Sequence, residues 1–185
     1  MERSTSDLNL LEHFATEFCN ILKKHVEYII VSGFVAIASG RVRGTEDIDI
    51  IIKKLDFNKF KKLHEELVKH DFVCMQSDEP ESIYEYLTDK ASVRYTWKDK
   101  PIPEMEMKFV KDIIDDEQFR TRKKLGLTGM DLWFSSVEIN IAFKEEYLKS
   151  DKDLEDARHL RIVYKDEINE NEILRFKKLI KKIRL

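Results

Sequence analysis

Residues 47–52 read Asp-Ile-Asp-Ile-Ile-Ile, a pattern that leaves the segment little conformational choice. A strand sends successive side chains to opposite faces, so Asp47 and Asp49 share one face and Ile48 and Ile50 the other. The two carboxylates then stand about 7 Å apart by strand rise. Acids beside that much apolar side chain are expensive to keep unless a cation sits against them. A fold built on this strand must bury one of its faces and offer the other to positive charge.

The surrounding segments read as alternating helices and strands. EYIIVSG is a buried strand ending at Gly33, FVAIASG a short apolar helix stopped by Gly40, and RVRGT a loop. Upstream, Leu11, Phe14, Phe18, Ile21 and Leu22 recur at helical spacing, with Ser6 or Asp7 available as a cap. Asp56 caps the next helix, whose buried stripe is Phe57, Phe60, Leu63, Leu67 and Val68. DFVCM, SVRYTW and PEMEMKF are strands, and SDEPESIYEYLTDK is a loop with a short helix. KKLGLTGMDLWFS is a hairpin turning at Thr128-Gly129. Ser135 and Glu138 form a capping box for a helix over roughly 136–149. Ser150 opens another helix, and a last one from about residue 169 carries Ile173, Phe176, Ile180 and Ile183 on one side. The predicted class is α+β (α/β): a mixed sheet flanked by helices, with the C-terminal helices as an additional layer. Residues 1–135 hold the core with its N-terminal helix. Residues 136–185 form a helical segment continuous with it as one domain.

Composition narrows the functional classes. A chain of 185 residues with 42 % hydrophobic content can bury one sizeable core. The net charge of -3 gives no global pull toward a polyanion. No apolar run approaches the roughly 20 residues of a membrane span, and MERSTSDLNL is no signal peptide. Cys19 and Cys74 read as core thiols of a cytoplasmic chain. None of the five histidines has metal-ligand spacing to another, and no Ser-His-Asp arrangement can be argued. The basic clusters RTRKK and KKLIKKIRL read as a solvated face and favourable charge at a helix end.

What remains is chemistry around the acid strand. Two carboxylates on one face can lean toward one divalent ion, and hard cations such as Mg²⁺ take oxygen ligands and keep phosphate oxygens in their shell. Phosphoryl chemistry often adds a third carboxylate. Glu106, flanked by Met105 and Met107, is the candidate, and Glu104 on the same face is the fallback. Ser32-Gly33, between a strand and a short helix, offers backbone N–H groups and a hydroxyl to phosphate. Arg43, and less so Arg41, is a candidate for phosphate contact, and Thr45 for fixing the turn. Lys144 falls inside the apolar stripe of its helix, with Val137, Ile141 and Leu148. It either snorkels to solvent, faces the nucleotide, or is held by Asp153 or Asp156.

The ordered pattern is strand, Ser-Gly, short helix, Gly-Arg-x-Arg-Gly-Thr, then acid–apolar–acid on a strand. VSGFVAIASGRVRGTEDIDIII in this way resembles the nucleotidyltransferase superfamily typified by DNA polymerase beta. It is most similar to the minimal nucleotidyltransferases and to relatives of the AbiEii toxin of prokaryotic abortive-infection systems. The resemblance implies that Asp47 and Asp49 bind Mg²⁺ (or Mn²⁺), with Glu106 as third acid. It implies that Ser32 and Gly33 hold the triphosphate of an NTP, ATP foremost. Arg43 matches the arginine of similar Arg-x-Thr-x-Asp-x-Asp stretches. Lys144 and the Lys-Asp-x-x-Asp that includes Asp153 and Asp156 would lie on the nucleotide side of the cleft. Two departures stand out: Ser32 replaces the first glycine of the family's pair, and the third acid is Glu rather than Asp. The implied activity is transfer of an NMP to a hydroxyl acceptor on a protein, a tRNA or a small molecule, with a homodimer left open. The alternative is a catalytically silent nucleotide- or partner-binding module of a toxin–antitoxin-like pair.

Overall fold

A computed structural model of the chain describes residues 5–184, with side chains from residue 10 onward. The cap expected at Ser6 or Asp7 lies outside the described side chains. Five strands form one mixed sheet: β1 (Tyr28–Val31), β2 (Asp47–Ile52), β3 (Phe72–Cys74), β4 (Val93–Trp97) and β5 (Lys100–Phe109), in the order β1-β2-β5-β4-β3. β2 runs parallel to β5, and the other strand pairings are antiparallel.

Register assigns the two faces. One row across the sheet is Ile30, Ile50, Met107 and Val93, and the next is Ile48, Met105, Tyr95 and Cys74. All eight are buried. Helices α1 (Thr5–Leu22), α3 (Phe57–Lys69) and α4 (Pro80–Thr88) pack on this side and complete the core. Phe18 meets Phe72 edge-on, and Tyr84 meets Phe109 in the same way. The Asp56 cap forms as the sequence predicts, its side chain accepting from the Lys59 N–H.

The opposite face carries the rows Val31–Asp49–Glu106–Arg94 and Asp47–Glu104–Thr96. Part of it is covered by α5 (Ile113–Arg120), whose Phe119 packs on Ile29, Val31 and Ile51. The C-terminal layer stands beside it: α6 (Val137–Phe143), a π-helical turn over Lys144–Leu148, α7 (Asp151–Val163) and α8 (Glu170–Arg184). The short helix α2 (Gly33–Ala38) is buried between β1 and α7. No described helix is long and apolar enough to cross a membrane. Both cysteines are buried and free.

Several local expectations are corrected. Val68 and Ile183 are exposed rather than part of their stripes. The cap of α6 is Ser136, which accepts from the Ile139 N–H, and not Ser135. Ser135 still belongs to a strap along β1, where its N–H donates to the Ile30 carbonyl at 2.9 Å. The helix therefore starts one residue later, and Ser135 Oγ accepts from Asn140 Nδ2 instead. The expected hairpin closes through one two-way bridge between Lys123 and Phe134, with Gly129 left-handed at its turn. Helix α5 has no counterpart in the sequence reading. Its signal is Asp112, whose side chain caps the Ile114 and Asp115 N–H groups.

Candidate functional site

The parallel pairing of β2 with β5 builds the acid face. Asp47 lies opposite Glu104, and Asp49 opposite Glu106, at the roughly 4.8 Å separation of neighbouring strands. Thr45 Oγ donates to the Asp47 carboxylate at 2.8 Å. Burial, then repulsion from Glu106, raises the Asp49 carboxyl above its ordinary value; the Ser32 hydroxyl hydrogen-bonds it and lowers it in part. The Glu106 carboxylate accepts from Ser92 Oγ at 2.8 Å and from Arg94 Nη2 at 3.2 Å. Arg94 Nε also lies 3.4 Å from Glu104. Both glutamates weighed for the third position thus point to the acid face, but their side chains turn toward β4. As they stand, no three His, Cys, Asp or Glu among the described residues converge on one ion position. Asp47 and Asp49 offer oxygen donors only, and Asp49 is undercompensated in charge. That chemistry fits a hard divalent cation such as Mg²⁺.

A second cluster forms around Asp156, whose side chain is fully buried. Its Oδ1 accepts from Arg41 Nε at 2.7 Å and Arg43 Nε at 2.9 Å. Its Oδ2 accepts from Arg43 Nη2 and Lys144 Nζ, both at 2.9 Å. Lys144, 1 % exposed, also donates to Asp153 at 3.2 Å. The lysine in the apolar stripe does not reach solvent, because two acids one turn apart on α7 meet it. Burial pushes the Asp156 carboxyl up, but the bonds from Arg43 and Lys144 outweigh that and hold it below its ordinary value. The loop before β2 is thereby tied to the C-terminal layer.

Ser32 and Gly33 sit where these clusters meet. A Cβ on Gly33 would lie 2.2 Å from Arg43 Nη2, so the glycine leaves room for the guanidinium. Ser32 adopts φ 64, ψ -135, a region that favours glycine. Two cavities share Ser32 and Asp49. The smaller, about 230 Å³, is also lined by Gly33, Arg43, Thr45, Asp47, Lys152 and Asp153. The larger, about 280 Å³, runs under the C-terminal layer past Lys108, Gln118, Asn140, Phe143, Lys144 and Tyr147. The structure brings Ser32, Gly33, Arg43, Thr45, Asp47, Asp49, Lys144, Asp153 and Asp156 around these two cavities and their shared wall, whereas Glu106 stands opposite Asp49 in register but turns its carboxylate to Arg94 and Ser92 and lines neither. Sequence reasoning missed Arg94 and Ser92. The alternation of SVRYTW was the available signal: it sets Arg94 opposite in parity to the buried Val93 and Tyr95.

The strand order and the helices on either face define an α+β fold. A nucleotidyltransferase-like antigenic protein from Paracoccidioides brasiliensis shares it with TM-score 0.57 and 18 % identity, covering 99 % of this chain and 91 % of that one. The antibiotic-resistance factor ANT(2'')-Ia shares it with TM-score 0.54 and 12 % identity, covering 92 % of this chain and 93 % of that one. No protein-family model and no curated protein sequence matches the chain.

Proposed function

We propose that this protein is a metal-dependent nucleotidyltransferase that moves an NMP from an NTP, ATP foremost, to a hydroxyl acceptor. The observation that carries the reading is the alignment of Asp47 and Asp49 with Glu104 and Glu106, beside Ser32 and Gly33. Asp47 and Asp49 would hold Mg²⁺ or Mn²⁺, and Glu106, the third acid of the face, stands opposite Asp49 on β5. A divalent ion bound there neutralises phosphate charge and lowers the pKa of the attacking hydroxyl.

The protein's part is positioning and electrostatics. The phosphates lie in the smaller cavity against the Ser32–Gly33 backbone, with Arg43 and Lys152 beside them. The base and sugar extend into the larger cavity, against the rings of Phe143 and Tyr147. Asp156 fixes Arg43 and Lys144, so their charges need no reorganisation when the triphosphate arrives. The acceptor oxygen bonds to the α-phosphorus, the bond to the β-phosphate bridging oxygen breaks, and pyrophosphate leaves. The hydroxyl proton passes to water. The acceptor is a protein, a tRNA end or a small molecule.

The test is incubation with each α-labelled NTP, Mg²⁺ or Mn²⁺, and a lysate of the organism the chain comes from. The expected result is a labelled species that Asp49→Asn fails to produce. Labelling by Asp49→Asn at near wild-type rate would refute the assignment. One observation favours a second reading, a silent nucleotide- or partner-binding module in a toxin–antitoxin-like pair: Glu106 is already satisfied by Arg94 and Ser92. Pyrophosphate release in the presence of the lysate separates the two, since a silent module binds ATP with metal in calorimetry yet yields no pyrophosphate.

A further inference from the structure

Arg94 lies on the same sheet row as Asp49 and Glu106. Its guanidinium meets Glu106 Oε2 from Nη2 at 3.2 Å and from Nε at 3.3 Å, and Glu104 Oε2 from Nε at 3.4 Å. The charge of Asp47 acts on it as well. Ser92 Oγ donates to the other Glu106 oxygen, Oε1. Both Glu106 oxygens are thus taken by protein donors. The two halves of the acid face are treated differently. Asp47 and Asp49 are met by hydroxyls, those of Thr45 and Ser32, whereas Glu104 and Glu106 share a guanidinium, with the Ser92 hydroxyl on Glu106 besides.

Four carboxylates at matched positions on adjacent strands repel one another, and a cation among them stabilises the folded state. A guanidinium offers a fixed single charge in a planar fork suited to carboxylates. A divalent ion entering between Glu106 and the aspartates would have to expel that charge or settle within a few ångströms of it.

We propose that Arg94 stands in for a second divalent ion. The protein holds one ion, at Asp47 and Asp49, and Arg94 supplies the positive charge at Glu104 and Glu106 that a second ion would otherwise bring. Glu106 serves this arrangement as the anchor of Arg94, and the arginine acts as a positioning residue. A second ion binds only once Arg94 is drawn away from Glu106. This rests on the reading that Asp47 and Asp49 hold a divalent cation.

The test counts bound Mn²⁺ on the full chain by electron paramagnetic resonance, with no nucleotide present. Wild type is expected to bind a single ion, lost in Asp49→Asn. Arg94→Gln, at a side chain 47 % exposed and therefore tolerant of change, is expected to gain a second site. That site should be at least about tenfold tighter than any secondary binding to wild type, the effect of about 1.4 kcal/mol of relieved repulsion. Arg94→Lys, which keeps the charge, should stay at a single ion. Two ions on wild type, or no second ion on Arg94→Gln, overturn this inference and leave the parent reading standing. A wild type that binds none overturns both.

Discussion

Asp156→Asn removes the anion on which three cations converge. The amide keeps one acceptor oxygen and turns an N–H₂ group toward two of the donors that Asp156 now satisfies. Each hydrogen bond to a charged group contributes about 1.5–3 kcal/mol, and breaking a buried ion pair from one side costs about 3–5 kcal/mol. Arg41 and Arg43, 19 % and 11 % exposed, can recover part of this by turning to water, whereas Lys144 at 1 % cannot. The expected loss is therefore near the lower bound, about 3 kcal/mol. For a chain of this size it corresponds to a Tm fall of about 6–12 °C. Urea denaturation at neutral pH measures it. Adding Lys144→Met removes a buried ammonium then held by Asp153 alone and should recover at least about 1 kcal/mol. The gap between wild type and Asp156→Asn should also close in acid. With its folded pKa lowered, Asp156 contributes fully above the ordinary carboxylate value and loses that contribution as pH falls through the folded value. A single variant within about 1 kcal/mol of wild type, or a double variant less stable than the single, would refute the reasoning.

Three further outcomes are expected. Asp49→Asn should abolish nucleotide transfer yet stabilise the free protein at neutral pH. The raised Asp49 carboxyl makes the folded state lose stability as pH rises from the unfolded value through the folded one, and an amide removes that slope; urea midpoints across that range test it. Gly33→Ala should drive Arg43 off Asp156, lowering stability by about 1–3 kcal/mol and weakening NTP binding in calorimetry. Ser32→Gly relieves the φ 64 backbone and should raise stability by about 0.5–1 kcal/mol. It also removes the hydroxyl beside Asp49, so the carboxyl should titrate higher by NMR.

The elements that carry the acids were legible because strand periodicity is local. Asp47 and Asp49 follow from alternation with Ile48 and Ile50, and Glu106 from its two methionines. The Asp56 and Ser150 caps were legible for the same reason, since each side chain bonds a backbone N–H three residues on. The place of Lys144 in the apolar stripe followed from helical spacing, but spacing left solvent, nucleotide and Asp153 or Asp156 as equal partners, and only the packing of α7 makes it a buried pair with the acids. Arg94 was not legible as a partner of Glu106. Nothing within SVRYTW says which strand β4 will pair with or in which register, and that pairing alone sets the contact. The dependence of Gly33 on Arg43 was hidden for a similar reason, since the loop reaches back only because α7 supplies Asp156. Helix α5 was missed because its charged first turn, Asp115 and Asp116, masks a short apolar face.

The parallel seam between β2 and β5 has a consequence for biosynthesis. The chain must leave β2, build α3, β3, α4 and β4, and only then return to lay β5 against it. Closing such a distant pairing is slow compared with forming local helices and hairpins. A polypeptide released before β5 is made has its aspartates on β2 beside β1 but no glutamates opposite them. The acid face is complete only when the final strand slots into the middle of the sheet, and the Asp156 cluster closes over it later still, once α7 is made.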